Sequence, residues 1–182
     1  MKAIVKLNTK AGGKMAFLER FYPDHYLDST YEIDFEQLYQ EGYRGVIFDI
    51  DNTLVPHGAP ADRRSIALFK RLREIGYESV LLSNNKEPRV KMFNDAVHSR
   101  YIHKAGKPSP RNYLKAMELM HTAPETTLFV GDQLFTDVWG AKKAGIMTYL
   151  VKPIHPKEEI QIVLKRYLER IVLYFYEKER KK

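Results

Sequence analysis

Apolar positions along the middle of this chain alternate between short solid runs and spaced sets. Val46-Ile47-Phe48 with Ile50 is a solid run, the pattern of a strand buried on both faces. Ile66, Leu68, Phe69, Leu72 and Ile75 then recur at helical spacing, between Asp62 as a cap and Gly76 as a stop. Tyr77 to Leu82 is a second strand. Pro88 opens a helix with Val90, Phe93 and Val97 inward, and Tyr101 to Lys104 is a short third strand. Ser109 and Pro110 start a helix whose inner side is Tyr113, Leu114, Met117 and Met120. Thr126 to Val130 is a fourth strand. A helix starting at Thr136 or Asp137 and stopping at Gly145 leads into a fifth, Ile146 to Val151. Repeated βα units of this length predict a mainly parallel sheet of about five strands with helices on both faces.

The flanks are less regular. Residues 1–44 read as an N-terminal extension. It has a glycine break at Gly12-Gly13, a short helix from Lys14 to Phe21 stopped by Pro23, and a helix from Asp34 to Gly42. Residues 45–151 form the core, and residues 152–182 a C-terminal amphipathic segment. In that segment Ile160, Leu164, Tyr167, Leu168, Ile171 and Phe175 fall on one stripe, expected to pack on the sheet. Arg166, Glu169, Leu173, Tyr176 and Arg180 fall on the other, expected to be exposed. Ile171 to Tyr176 also reads as a strand. One domain is expected for 182 residues.

In an open parallel sheet, ligands bind at the carboxyl ends of the strands. The polar residues at those ends are Asp49 and Asp51, then Ser83 and Asn84, then Lys104 or Lys107, then Asp132 and Asp137. A buried strand ending in Asp49-x-Asp51 is costly to desolvate unless the charges meet a cation or strong donors. Alternation would point both carboxylates the same way, and paired hard oxygens suit Mg²⁺. A carboxylate can also attack phosphorus. Taken singly, Ser83 reads as a turn residue, Lys107 as a solvated lysine and Asp137 as a helix cap. Their occurrence at successive strand ends points instead to one metal-plus-phosphate site.

This order of motifs resembles the haloacid dehalogenase superfamily of phosphohydrolases. Asp49-x-Asp51-Asn52-Thr53 is similar to its first motif, Ser83 to its second, Lys107 in Gly106-Lys-Pro-Ser-Pro110 to its third, and Gly131-Asp132 with Asp137 to its fourth. More narrowly, Pro23-Asp24, Tyr31-x-Ile33-Asp34, Ser83-Asn84-Asn85 and Ala105-Gly-Lys-Pro108 resemble the capless YqeG-type group. That group is related to mitochondrial-type phosphatidylglycerophosphate phosphatases. The resemblance implies a Rossmann-like three-layer α/β core. It implies Asp49 as nucleophile, Asp51 as general acid and base, and Ser83, Asn84 and Lys107 on the phosphate. It implies Mg²⁺ on Asp49, the main-chain carbonyl of Asp51, Asp132 and Asp137. The interval from Asp51 to Ser83 holds one loop, one helix and one strand, and that from Ser83 to Lys107 one helix and one strand. Neither has room for a cap domain, so the site is expected to be open and suited to a phosphate on something large, or closed by a second subunit.

Composition narrows the setting. No run of about 18 apolar residues occurs, so no membrane span is expected. The N-terminus does not read as a secretory signal and the chain has no cysteine, which together suit a cytoplasmic protein. The net charge is +7, with basic residues concentrated at both termini. Such termini suit a solvated face or an anionic lipid surface. No interleaving of aromatic and basic residues marks a nucleic-acid site. His57, after the first motif, is placed for substrate contact. His155 is a weaker candidate, and His121 reads as a helix cap. Lys86 or Arg89 is a candidate for a second substrate phosphate.

Overall fold

The computed structural model describes residues 15–155 and 160–180. The Gly12-Gly13 break and the basic residues before it lie outside the described residues.

The sheet has six strands, all parallel: β1 His25–Leu27, β2 Gly45–Phe48, β3 Glu78–Leu82, β4 Arg100–Ile102, β5 Thr127–Gly131 and β6 Met147–Val151. Their order is β1-β6-β5-β2-β3-β4. The chain moves outward from β2 through β3 to β4, then returns to β2's other side through β5 and β6. The crevice between the ends of β2 and β5 is therefore the switch point where such sheets bind ligands. Register places Phe48 opposite Val130, so Asp49 and Asp132 emerge side by side.

The sixth strand, β1, is the one that periodicity does not reveal. Three residues are too few to show alternation, and it lies on a sheet edge. A side-chain clamp anchors it: the Asp24 carboxylate accepts from the Thr148 N–H at 2.8 Å and from its hydroxyl at 2.7 Å. The N-terminal extension thus joins the core sheet.

Pleating divides the core in two. Val46, Phe48 and Leu81 face α2 (Phe35–Gln40), α3 (Arg63–Ile75) and α4 (Glu87–Val97). Ile47, Val80 and Phe129 face α5 (Arg111–Met120) and α6 (Trp139–Lys143). Asp62 caps α3 in a reciprocal capping box with Ser65, and Gly76 ends it with φ of 108°. Two residues expected to face inward do not: Ile66 and Leu114 are both exposed. Each sits on the shoulder of its helix's apolar arc, which neighbours of the same helix already fill.

Helix α1 (Met15–Glu19) and the C-terminal helix α7 (Ile160–Arg180) flank a third cluster, built on Phe21, Leu134, Val138, Leu150 and Val172. Ile171 to Tyr176 is helical, so the alternative of a strand there is set aside. The expected facing of α7 is also reversed. Val172, Tyr176 and Glu169 are buried, and Leu173 joins the third cluster. Tyr167, Leu168, Ile171 and Tyr174 are each more than half exposed, and Phe175 is partly buried. The cause is polar. Arg166 and Glu169 lie on the same side as Val172 and Tyr176, and the acidic loop after β5 draws that side inward. The side chains of Ile160 and Leu164 lie outside the described residues.

Candidate active site

The acids come together as one cluster. Asp49 follows β2, Asp132 follows β5, and Asp137 sits in the turn beyond. One oxygen from each lies within 4.8 Å of the others, and all three are buried. The turn is a wide π-helical one, Leu134–Val138, rather than the expected helix start at Thr136 or Asp137; α6 follows it. Asp137 is therefore not a helix cap. The wider turn carries its side chain back under the strand end, where Oδ2 accepts from the N–H groups of Asp132 at 3.2 Å and Gln133 at 3.1 Å. Tyr113 fixes the turn from below, its hydroxyl donating to the carbonyls of Thr136 and Asp137.

Gly131 makes this packing possible. A Cβ there would lie 2.5 Å from Asp137 Oδ2. The glycine is needed for close approach, not for backbone freedom.

Lys107 supplies the cation within the cluster. Its ammonium donates to Asp49 Oδ1 at 2.6 Å and to Asp137 Oδ1 at 2.7 Å, with only 3% of the side chain exposed. Asn84 braces the lysine's backbone: its Oδ1 accepts from the Lys107 N–H at 2.8 Å, and its Nδ2 donates to the Lys107 carbonyl at 3.3 Å. Asn84 lines the cavity, and the lysine engages both ends of its amide. Ser83 is buried at the end of β3, its hydroxyl accepting from the Asn85 N–H.

Asp51 stands apart from the acid cluster. β2 ends at Phe48, so strand alternation does not reach Asp51. Its carboxylate accepts from the Gly58 N–H at 2.7 Å, Asn85 Nδ2 at 2.6 Å and Arg89 Nη2 at 2.8 Å. Arg89 directs Nε and Nη2 to Asp51, while its buried Nη1 has no hydrogen-bond partner among the described residues. His57 Nδ1 lies 3.9 Å from Asp51, on the rim. The His155 N–H donates to Asn52 Oδ1 in the first-motif loop. His121 closes α5 in the left-handed conformation with φ of 56°.

Asp49, Asp51, Ser83, Asn84 and Lys107 line one open cavity of about 230 Å³, joined by His57, Gln133 and Lys165. Among the described residues no segment covers it. A second cavity, of about 270 Å³ and mostly apolar, lies beside α7 and meets the cluster only through Asp132. Among the titratable groups lining these two cavities, the nucleophile candidate and the cation belong to the first, so the chemistry lies there.

Electrostatics show what the cluster lacks. Burial pushes the Asp49 carboxyl up to about 7, against the pull of Lys107. Burial likewise raises Asp132 well above the carboxylate range, against Arg166. For Lys107, burial lowers the ammonium, but Asp137 and Asp49 outweigh it and the net shift is upward. Asp49, Asp132, Asp137 and Glu169 are four buried carboxylates that meet two cations, Lys107 and Arg166, so negative charge is in excess. Hard oxygens of this kind fit a divalent cation, which would replace the protons otherwise needed.

Several residues that matter here lie outside the four superfamily motifs. Thr30 donates to the Thr53 carbonyl at 2.7 Å and Tyr31 to the Leu54 carbonyl at 2.8 Å, holding the first-motif loop from the N-terminal extension. Asn85 belongs to the Ser83-Asn84-Asn85 triplet, whereas Arg89, Arg166 and Glu169 were detectable only as polar residues near motifs or on a helix face.

A parallel sheet with paired acids, a lysine and a serine at its central strand ends defines a hydrolase built for phosphoryl groups. Residues 61–145 match the model of the haloacid dehalogenase-like hydrolases. The chain is 35% identical over 154 residues to "Probable phosphatase YqeG" of Bacillus subtilis, covering 84% of this chain and 90% of that protein. It is 30% identical over 144 residues to "Phosphatidylglycerophosphate phosphatase 1, chloroplastic/mitochondrial" of Arabidopsis thaliana, covering 72% of this chain but 40% of that protein. A solved putative 3-deoxy-D-manno-octulosonate 8-phosphate phosphatase from Vibrio cholerae shares the fold with a TM-score of 0.50 at 16% identity, over 84% of this chain and 78% of that one. This chain belongs to the haloacid dehalogenase-like hydrolases and is a phosphatase of the YqeG type.

Two outcomes are expected. Gly131→Ala should displace Asp137, lowering stability by about 1–3 kcal/mol and phosphate release by at least roughly tenfold; thermal unfolding and phosphate assays check this. Because a raised carboxyl holds its proton below about pH 7, divalent-cation binding must release it. For a group titrating at about 7, affinity should therefore fall by about fivefold from pH 7 to pH 6, with proton release visible by calorimetry in buffers of different ionisation enthalpy.

Proposed function

We propose that this phosphatase is Mg²⁺-dependent, works through an aspartyl-phosphate on Asp49, and acts on a lipid phosphomonoester of the phosphatidylglycerophosphate type. The observation that carries the chemistry is the Lys107 bridge between Asp49 and Asp137 beside Asp132, at the floor of an uncapped cavity.

A carboxylate attacking a phosphate dianion meets like-charge repulsion, so catalysis requires positive charge around the transferring group. Mg²⁺ held by Asp49, Asp132 and Asp137, with the main-chain carbonyl of Asp51, would supply it. Lys107 fixes one oxygen of Asp49 and presents the other to the substrate. In the first step Asp49 forms a bond to phosphorus as the bond to the substrate alkoxide breaks, and Asp51 gives that oxygen a proton. In the second, Asp51 takes a proton from water, which attacks phosphorus, frees the Asp49 carboxylate and releases phosphate. Ser83 donates to a phosphoryl oxygen, and Asn84 contributes by holding Lys107.

The lipid preference rests on two supports. One is similarity to the plant phosphatidylglycerophosphate phosphatase. The other is the exposed side of α7, where Tyr167, Leu168, Ile171 and Tyr174 stand beside Lys165, Arg170 and Lys178. An apolar face flanked by cations suits an anionic membrane surface. Lys165 also lines the cavity, so the same helix end meets both the rim and that surface. Among the described residues no helix is long and apolar enough to cross a membrane. The reading is thus of a cytoplasmic protein peripheral to the membrane.

Phosphate release should be measured over lipid and small soluble phosphomonoesters, with Mg²⁺ and with chelator. Release from phosphatidylglycerophosphate that chelator removes is expected. Asp49→Asn should abolish it while the protein still unfolds cooperatively, and full activity in that variant would refute the mechanism. Release only from small soluble esters would keep the chemistry and discard the lipid. Ile171→Glu with Tyr174→Glu should weaken binding to anionic vesicles while sparing turnover of a soluble ester. Unchanged vesicle binding would leave that face to a second copy of the chain, seen as a dimer in sedimentation.

A further inference from the structure

Helix α7 reaches the acid cluster through two residues outside every motif. Arg166 Nη1 donates to the Asp132 carbonyl at 2.6 Å and to Glu169 Oε2 at 2.9 Å, while Nη2 pairs with Asp132 Oδ2. Glu169 Oε1 in turn accepts from the Leu134 N–H at 2.8 Å. The helix therefore grips the loop after β5 on both sides of Gln133. That loop carries Asp132 and opens the π turn that carries Asp137. Glu169 and Asp132 are nearly fully buried, and Arg166 mostly so.

Glu169, itself a carboxylate, shares Arg166 with Asp132. It holds Arg166 and anchors the loop backbone. Arg166 in turn occupies Asp132 Oδ2, while Oδ1 lies on the side of the first-motif loop, 3.4 Å from the Thr53 hydroxyl. From this arrangement we infer that Arg166 is a positioning residue: it orients Asp132 so that Oδ1 is presented to the cation, and it couples the docking of α7 to occupancy of the acid cluster. Such coupling is reciprocal. A docked helix raises cation affinity, and a bound cation holds the helix down. The inference rests on the cation-binding part of the proposed function.

The test uses the whole protein and two readouts independent of turnover. In the unaltered protein, hydrogen exchange along α7 is compared with and without Mg²⁺. Slower exchange around Arg166 to Val172 with the cation is expected. Separately, Mg²⁺ affinity is measured by calorimetry for the unaltered protein, Arg166→Gln and Arg166→Lys. Removing a residue that orients a ligand should weaken binding by about 10–100-fold, and lysine, which lacks the fork, should restore only part. Affinity within twofold of the unaltered protein, or tighter binding by Arg166→Gln, would overturn the inference. If Arg166→Gln fails to fold, unchanged exchange in the unaltered protein overturns it alone. No Mg²⁺ binding by the unaltered protein would refute the cation reading and the coupling together. Normal binding there with no effect of Arg166→Gln would refute the coupling only.

Discussion

Burying three carboxylates at the ends of two adjacent strands is the constraint that orders this structure. Each would cost several kcal/mol to desolvate alone, and together they repel. Lys107 answers this from the third strand end by meeting Asp49 and Asp137 at once. Arg166 answers it from the opposite side by pairing with Asp132. Much of the local detail serves these two contacts. Asn84 holds the lysine's backbone, Gly131 leaves room for Asp137, and the π turn swings that side chain under the strand. The remaining imbalance of charge is what makes the cluster a receptor for a cation and not merely a salt-bridged core.

Asp51 shows the same logic used for a different end. It is two residues from Asp49 yet belongs to a separate network of Gly58, Asn85 and Arg89. Separation keeps Asp51 from becoming one more member of the cluster. The backbone makes that possible by leaving the strand at Phe48, with Asn52 turning at φ of 63°. Thr30 and Tyr31 then hold the loop's carbonyls from outside the core.

The central sheet and the strand-end residues were legible because they rest on local rules. Solid apolar runs mark buried strands, glycines mark stops, and polar residues must follow a strand that ends at a ligand site. Strand β1 was not legible because three edge residues carry no period, and its anchor, Asp24 on Thr148, spans most of the chain. The partners of Asp51 were not legible because a helix's first turn is usually solvated, and nothing local says that Arg89 points back. The π turn was hidden for a related reason. A single added residue in a helical turn leaves the apolar spacing almost unchanged.

The reversed facing of α7 carries the more general lesson. Its sequence offers two stripes, and apolar count favours the one bearing Tyr167, Leu168 and Ile171. Count is the wrong measure when a buried acid waits on the surface to be covered. Burying one more large apolar side chain is worth about 1.5–3 kcal/mol. Leaving Asp132 buried without Arg166 would cost about 3–5 kcal/mol by the usual penalty for breaking a buried pair. Val172 and Tyr176 lie on the same side as Arg166 and Glu169, so that side gains packing as well as charge compensation. The helix therefore turns its polar-bearing side inward and leaves its more apolar side exposed. An exposed stripe produced in this way is not a packing failure. It is what remains after the demand of the acid cluster has been met, and it leaves an apolar face beside the rim of the site.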